Sequence, residues 1–184
     1  MPLHPPLHAA LQHHARAAPE QRDAAESFLA FLRSHPDVFQ RSHPPGHFTG
    51  SAWLVSADGA RVLLTHHRKL GRWFQPGGHA DGDTDLVRVS LREASEESGL
   101  SDLVVEPAIF DLDRHLIPAR GTEPAHWHYD VRHVVRATGS EAFSVGEESL
   151  DLAWRSVAEL PEDASLDASI RRMARRWLAR QAAS

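Results

Sequence analysis

At roughly 150 residues per domain, the 184-residue chain is sized for one domain with terminal additions, and its 41% hydrophobic content can supply a core; collagen-like, coiled-coil and wholly disordered readings are excluded. A formal charge of −5 and a pI near 6.3 give no overall electrostatic reason to bind nucleic acid or an anionic membrane, so any phosphate recognition has to be local. The absence of cysteine excludes disulfides, a thiolate nucleophile and cysteine-ligated zinc or iron–sulfur centres.

The opening Met1-Pro2-Leu3-His4-Pro5 lacks the charged and apolar stretches of a signal peptide, and no apolar run approaches the ~20 residues of a membrane span. The expectation is a soluble, cytoplasmic protein. From Leu7 to Leu32 the sequence is alanine-rich, with Leu7, Leu11, Phe28, Leu29, Phe31 and Leu32 at helical spacings and Pro19 as a divider. The breakers Pro36, Pro44, Pro45, Gly46 and Gly50 then mark a connection, which predicts an N-terminal helical extension over residues 1–46 and a main domain over 47–184. Residues 51–55 and 61–65 flank Ala57-Asp58-Gly59 and predict a hairpin of two antiparallel strands.

After Pro76-Gly77-Gly78 a loop of Asp and Gly runs to Thr84. Leu86, Val87, Ser90, Leu91 and Ala94 then give a helical apolar stripe that stops at Gly99. Further strands are predicted at 104–112, 127–137 and 152–157, with a helix over 167–181 whose Ile170, Met173, Ala174, Trp177 and Leu178 line one face. This order predicts an α+β fold around a largely β core, not a doubly wound sheet.

The chemistry-bearing cluster lies at the end of the first of these helices. Glu93, Glu96 and Glu97 are three and four positions apart, so the three carboxylates share a helical face and repel one another by a few tenths of a kcal/mol per pair. A hard divalent cation that prefers oxygen ligands would compensate. The competing reading is a solvated acidic face on which Arg92 pairs with Glu96.

The stretch Gly78-His-Ala-Asp-Gly-Asp-Thr84-Asp-Leu-Val-Arg-Val-Ser-Leu-Arg92-Glu93-Ala94-Ser95-Glu96-Glu97-Ser98-Gly99-Leu100 resembles the Nudix box, Gly-x5-Glu-x7-Arg-Glu-U-x-Glu-Glu-x-Gly-U with U aliphatic. The spacing fits throughout; Thr84 replaces the first Glu and Ala94 is a small first U. With the preceding hairpin, Trp73-Phe74-Gln75-Pro76-Gly77 and the acidic segment before Trp154, the resemblance covers roughly residues 47–160. It implies an α/β/α sandwich around a mixed sheet, and a pyrophosphohydrolase that uses Mg²⁺ or Mn²⁺ to cleave a nucleoside diphosphate linked to another moiety, or a similar small phosphorylated metabolite. By the family pattern Glu96 and Glu97 are metal ligands, Glu93 a further ligand or water-activating base, Arg92 the group orienting the glutamates, and the Gly77 carbonyl a backbone ligand. A further ligand or base is expected ahead of the late Trp strand. Glu147, Glu148 and Asp151 are candidates, Glu148 preferred; the alternative is that they are solubilising loop acids.

Two readings compete at Thr84. Either Asp83 supplies the missing carboxylate from a glycine-containing loop, or Asp83 or Thr84 is simply the helix N-cap. Strand alternation places His126, His128, Asp130 and Arg132 on one face, which either binds a phosphate or sugar, forms a second metal site, or faces solvent. With His126 and His128, Arg68 of the His66-His67-Arg68-Lys69 stretch is a candidate substrate contact; surface placement is the alternative for that stretch and for His79. Trp53, Trp73, Trp127 and Tyr129 either stack a base or belong to the core. Isopentenyl diphosphate isomerase, which shares the fold, uses a cysteine that this chain lacks. A non-catalytic Nudix-like binding or regulatory module is the remaining alternative, and Thr84 is the feature that favours it. No marker downstream of the box singles out a substrate. Dimerisation is common in the fold, which makes the N-terminal helical region a candidate for pairing subunits. No membrane or nucleic-acid partner is expected.

Overall fold

Pro19 separates two N-terminal helices, α1 (Pro5–Ala17) and α2 (Arg22–Leu32), through a single 3-10 turn at Pro19–Gln21. The computed structural model describes residues 4–68, 71–146 and 149–183. After the connection come β1 (Gly46–Val55), β2 (Arg61–His67), β3 (Arg72–Phe74), β4 (Gly77–His79) and α3 (Leu86–Ser98). They are followed by β5 (Leu103–Ile117), β6 (His126–Ala137), β7 (Ser149–Ser156) and α4 (Ala168–Ala182). The strands form one seven-stranded mixed sheet in the order β3-β2-β1-β6-β5, with β4 also paired to β1 and β7 to β2.

The predicted hairpin is present, with Val55 opposite Val62 and Gly59 at a φ of 73° in its turn. The short strands β3 and β4 are not legible in the sequence, since three-residue runs flanked by glycine carry no alternation. β5 runs five residues past its predicted end, where Asp113 and His115 interrupt the apolar pattern without ending the pairing. α3 stops where Gly99 takes a left-handed φ of 71°; a side chain there would run into the Ser144 hydroxyl.

Contacts divide the chain into two compact units. The first combines Met1–Ser51, Gly78–Ser90 and Glu106–His133. Its core is aromatic: Phe31 stacks on Tyr129 at 3.8 Å between ring centres, and Phe28 meets the same ring edge-on at 5.2 Å. Leu7, Leu11, Leu29 and Leu32 complete the helical side of this core, with Phe39, Phe48, Leu86 and Val89 from the rest of the unit. Asp130 and Arg132, candidates for a solvent-facing row, are instead buried in a polar network. The Arg132 guanidinium donates to Asp130 at 2.7 Å and to Asp111 at 3.3 Å, and the Thr49 and Ser51 hydroxyls donate to Asp130 at 2.9 and 2.8 Å. A buried guanidinium shared among carboxylates that are themselves hydrogen-bonded satisfies charges that would otherwise be costly to desolvate.

The second unit combines Ala52–Gly77, Leu91–Val105 and Val134–Ser184. Ala52, Leu54, Leu63, Ala94, Leu100, Val135, Ala137 and Leu152 form one of its cores, so the small aliphatic residue at 94 is a packing position. α4 buries Ile170, Met173, Ala174 and Trp177, as its stripe predicts; Asp167 caps it, and the Trp177 indole donates to the Gly59 carbonyl at 2.8 Å.

Candidate active site

The entry to α3 settles which residue caps the helix. The carboxylate of Asp85 accepts from the Arg88 N–H at 3.2 Å, the geometry of an N-cap, so the cap is neither Asp83 nor Thr84. Asp83 accepts from the Asp85 N–H at 2.9 Å and from the Arg88 guanidinium at 2.7 and 2.6 Å, while Thr84 is exposed. The cap thus lies one or two residues later than the spacing predicts. Asp83, Thr84 and Asp85 are all favoured capping types, and only the hydrogen bonds choose among them.

About three turns beyond the cap, Glu97 accepts from the Gly77 N–H at 2.7 Å across a sequence separation of 20 residues. That bond pins the glycine loop to the helix. Arg92 donates to Glu93 at 2.7 Å and lies 3.9 Å from Glu96. Its nearer partner is therefore Glu93, not the Glu96 of the expected i,i+4 pair. The Glu93 side chain is 15% exposed and that of Glu96 64%, so the cluster grades from a shielded carboxylate to an open one. Among these four side chains three carboxylates face one guanidinium, and the surplus of oxygen donors fits a hard divalent cation.

The other candidates fall in different places. Glu147 and Glu148 lie outside the described residues. Arg68 follows β2 and donates to the Ser149 carbonyl at 3.0 Å. Trp53 is fully buried and Tyr129 belongs to the aromatic core; Trp73 stacks on His66 at 5.0 Å, and Trp127 lies beneath the Arg114 guanidinium at 4.6 Å.

His126 and His128 join a cluster that the sequence does not bring together, because His47 and His79 sit on other strands. The His126 and His128 Nε2 atoms are 3.3 Å apart. The ring centre of His47 is 5.0 Å from those of His79 and His126 and 4.8 Å from that of His128. Burial, reinforced by His79 and His126, holds the His47 imidazole down at about 3, and burial with the neighbouring histidines holds His128 at about 2. Burial, then the charge of Arg41, also lowers His79.

The NUDIX domain family model matches residues 47–177. The chain belongs to the NUDIX family. A putative 8-oxo-dGTP diphosphatase 3 of Mycobacterium tuberculosis is 32% identical over 140 residues, an alignment spanning 70% of this chain and 62% of that protein. The fold resembles an Ap4A hydrolase of C. elegans, with a TM-score of 0.59 and 16% identity over 74% of this chain and 98% of that one. It also resembles a MutT protein of Methanosarcina mazei Go1, with a TM-score of 0.56 and 20% identity over 73% and 94% of the two chains. The expected Nudix-type architecture, with helices preceding it at the N-terminus, is the one found. No described helix is long and apolar enough to cross a membrane.

Proposed function

We propose that this Nudix chain is a metal-dependent pyrophosphohydrolase that cleaves the diphosphate linkage of a nucleoside diphosphate joined to another moiety, or of a similar small phosphorylated metabolite. The observation that carries this reading is the carboxylate face of α3, with Glu97 fixed by the Gly77 N–H and Glu93 by Arg92. Glu96 and Glu97 would hold Mg²⁺ or Mn²⁺, with Glu93 and the Gly77 carbonyl completing the protein's share of the ligands and Glu148 a carboxylate available just ahead of β7. Such an ion neutralises charge on phosphoryl oxygens and lowers the pKa of a bound water.

The chain's own part is positioning. Arg92 holds Glu93 in place through a charge-assisted hydrogen bond, which suits a fixed ligand better than a base that must turn toward a water. The Gly77–Glu97 bond keeps the loop and helix in one register, so the oxygen donors need not be gathered when substrate arrives. Glu96, more open than Glu93, is the carboxylate of that pair a solvent-borne metal–substrate complex would meet first.

The relative's name and those of the structural neighbours supply a starting panel: 8-oxo-dGTP, Ap4A and other linked nucleoside diphosphates, assayed for phosphate or nucleoside monophosphate release with Mg²⁺ or Mn²⁺. Turnover that requires the metal and is lost in Glu97→Gln is expected. Binding of panel members without any hydrolysis would identify a non-catalytic binding module instead.

A further inference from the structure

The four clustered histidines come from three strands: His47 from β1, His79 from the end of β4, and His126 and His128 from β6. Three features separate them from an ordinary patch of polar residues. His47 is 1% exposed, and neither of its ring nitrogens has a hydrogen-bond partner among the described residues. A buried imidazole left so is costly unless something accepts its lone pair, and natural cores rarely tolerate it.

The tautomer of His126 is fixed by its surroundings. Its Nδ1 lies 3.0 Å from the Pro124 carbonyl, which can only accept, so Nδ1 carries the proton and Nε2 presents a lone pair. That arrangement, one imidazole nitrogen bound to a backbone carbonyl and the other directed inward, is how metal-ligating histidines are oriented. The lone pair faces the Nε2 of His128 at 3.3 Å.

The spacing agrees. One ligand nitrogen from each of His47, His126 and His128 lies within 4.8 Å of the others. Ligands about 2.1 Å from a tetrahedral ion are roughly 3.4 Å apart, and imidazoles so bound have ring centres roughly 5 Å apart. The His126–His128 nitrogen pair already has the first spacing. Five ring pairs among the four histidines have the second, with centre-to-centre distances from 4.8 to 5.1 Å.

We propose that His47, His126 and His128 bind a first-row divalent transition ion of the Zn²⁺ class, with the His79 ring packed alongside them, as a structural cross-link of β1 and β6. Neutral imidazoles suit Zn²⁺, Co²⁺ or Ni²⁺, whereas Mg²⁺ prefers oxygen, so this site and the glutamates of α3 select different metals. The carboxylate of Glu123, 3.9 Å from the His126 Nε2 and open to solvent, supplies a counter-charge at the mouth.

The test uses the full chain stripped with chelator and titrated with Co²⁺ in excess Mg²⁺, which occupies the carboxylates. Uptake of one equivalent is expected, with the visible absorption of a low-coordinate nitrogen-ligated ion, reversal by Zn²⁺ and a rise in Tm. His126→Ala and His128→Ala should each weaken Co²⁺ binding roughly tenfold or more, with circular dichroism reporting whether each variant is folded. Glu97→Gln should leave the absorption intact, which separates this ion from the hydrolytic one. No uptake by the wild-type chain at micromolar Co²⁺ would overturn the proposal whatever the variants do. So would absorption that survives both histidine substitutions, or that disappears in Glu97→Gln.

Discussion

Gly77 and Glu97 are joined by one 2.7 Å hydrogen bond from a backbone N–H to a carboxylate oxygen, and a glutamine at 97 would keep an acceptor at that place while removing the charge. Glu97→Gln therefore separates two roles. The loop should remain attached and Tm should stay near that of the wild type, while kcat at saturating Mg²⁺ falls by roughly 10²-fold or more. Glu97→Ala loses both acceptor and charge, and should lower Tm as well. Wild-type kcat in Glu97→Gln would remove Glu97 from the metal site.

Glu96 tests the same face without the loop bond. Its approach to Arg92 is a long 3.9 Å at an open position, and its removal relieves repulsion with the neighbouring carboxylates. Glu96→Gln should hold or raise Tm while depressing kcat to a similar degree. A loss of stability alongside unchanged turnover would make it a structural residue.

Local periodicity makes the helices and longer strands legible in the sequence: the divided N-terminal helices, the hairpin around Asp58-Gly59 and the carboxylate face of α3 all follow from residue spacing over short distances. The longer-range relationships are not legible there. Nothing in the spacing of His47, His79 and His126 reveals that β1, β4 and β6 bring them together, because strand order is a tertiary property. Asp130 and Arg132 are ambiguous for a related reason: alternation assigns them to a common face but leaves open whether that face meets solvent or, as found, Asp111, Thr49 and Ser51.

The assignment of the α3 cap to Asp85 predicts an ordering among three adjacent substitutions. Asp85→Ala should destabilise the chain by about 1 kcal/mol, the usual worth of a cap. Thr84→Ala should stay within about 0.5 kcal/mol, since its side chain is exposed and the cap lies at the next residue. Asp83→Ala loses both the acceptor for the Asp85 N–H and the pair with the exposed Arg88, and should cost about 1–2 kcal/mol. Urea titrations of the three variants check the order; a larger loss from Thr84→Ala than from Asp85→Ala would reassign the cap.

Phe31 predicts the thermodynamic status of the N-terminal helices. Its ring lies parallel to that of Tyr129, an interplanar angle of 3°, and within ring-contact distance of Phe48. Truncation to alanine removes a large buried ring from an aromatic cluster and should destabilise by about 3–5 kcal/mol. The unfolding transition measured by far-UV circular dichroism should shift accordingly. A variant with wild-type stability would show α2 to be dispensable, as a tail is.

His133 predicts how stability responds to acid. Its side chain is buried, and because the Ser90 hydroxyl donates to the Leu86 carbonyl at 2.8 Å, the 2.9 Å contact with His133 has Nδ1–H donating to that hydroxyl. Burial lowers the imidazole to about 4, against the upward pull of Asp130 and Asp85 and with a smaller downward push from His14. In the unfolded chain the ring titrates near its ordinary value of about 6.5. Above that pH both states are neutral and the contribution to stability is fully present. Between about 6.5 and 4 the unfolded state holds a proton the native state does not, so stability falls as the pH drops, by at most about 1.4 kcal/mol per pH unit from this one residue. Below that range the loss levels off. Urea unfolding at several pH values from about 7 down to 4 should show this decline, and His133→Gln should flatten it by up to one proton's worth of slope. A slope identical in the variant and the wild type would place the titrating proton on another group.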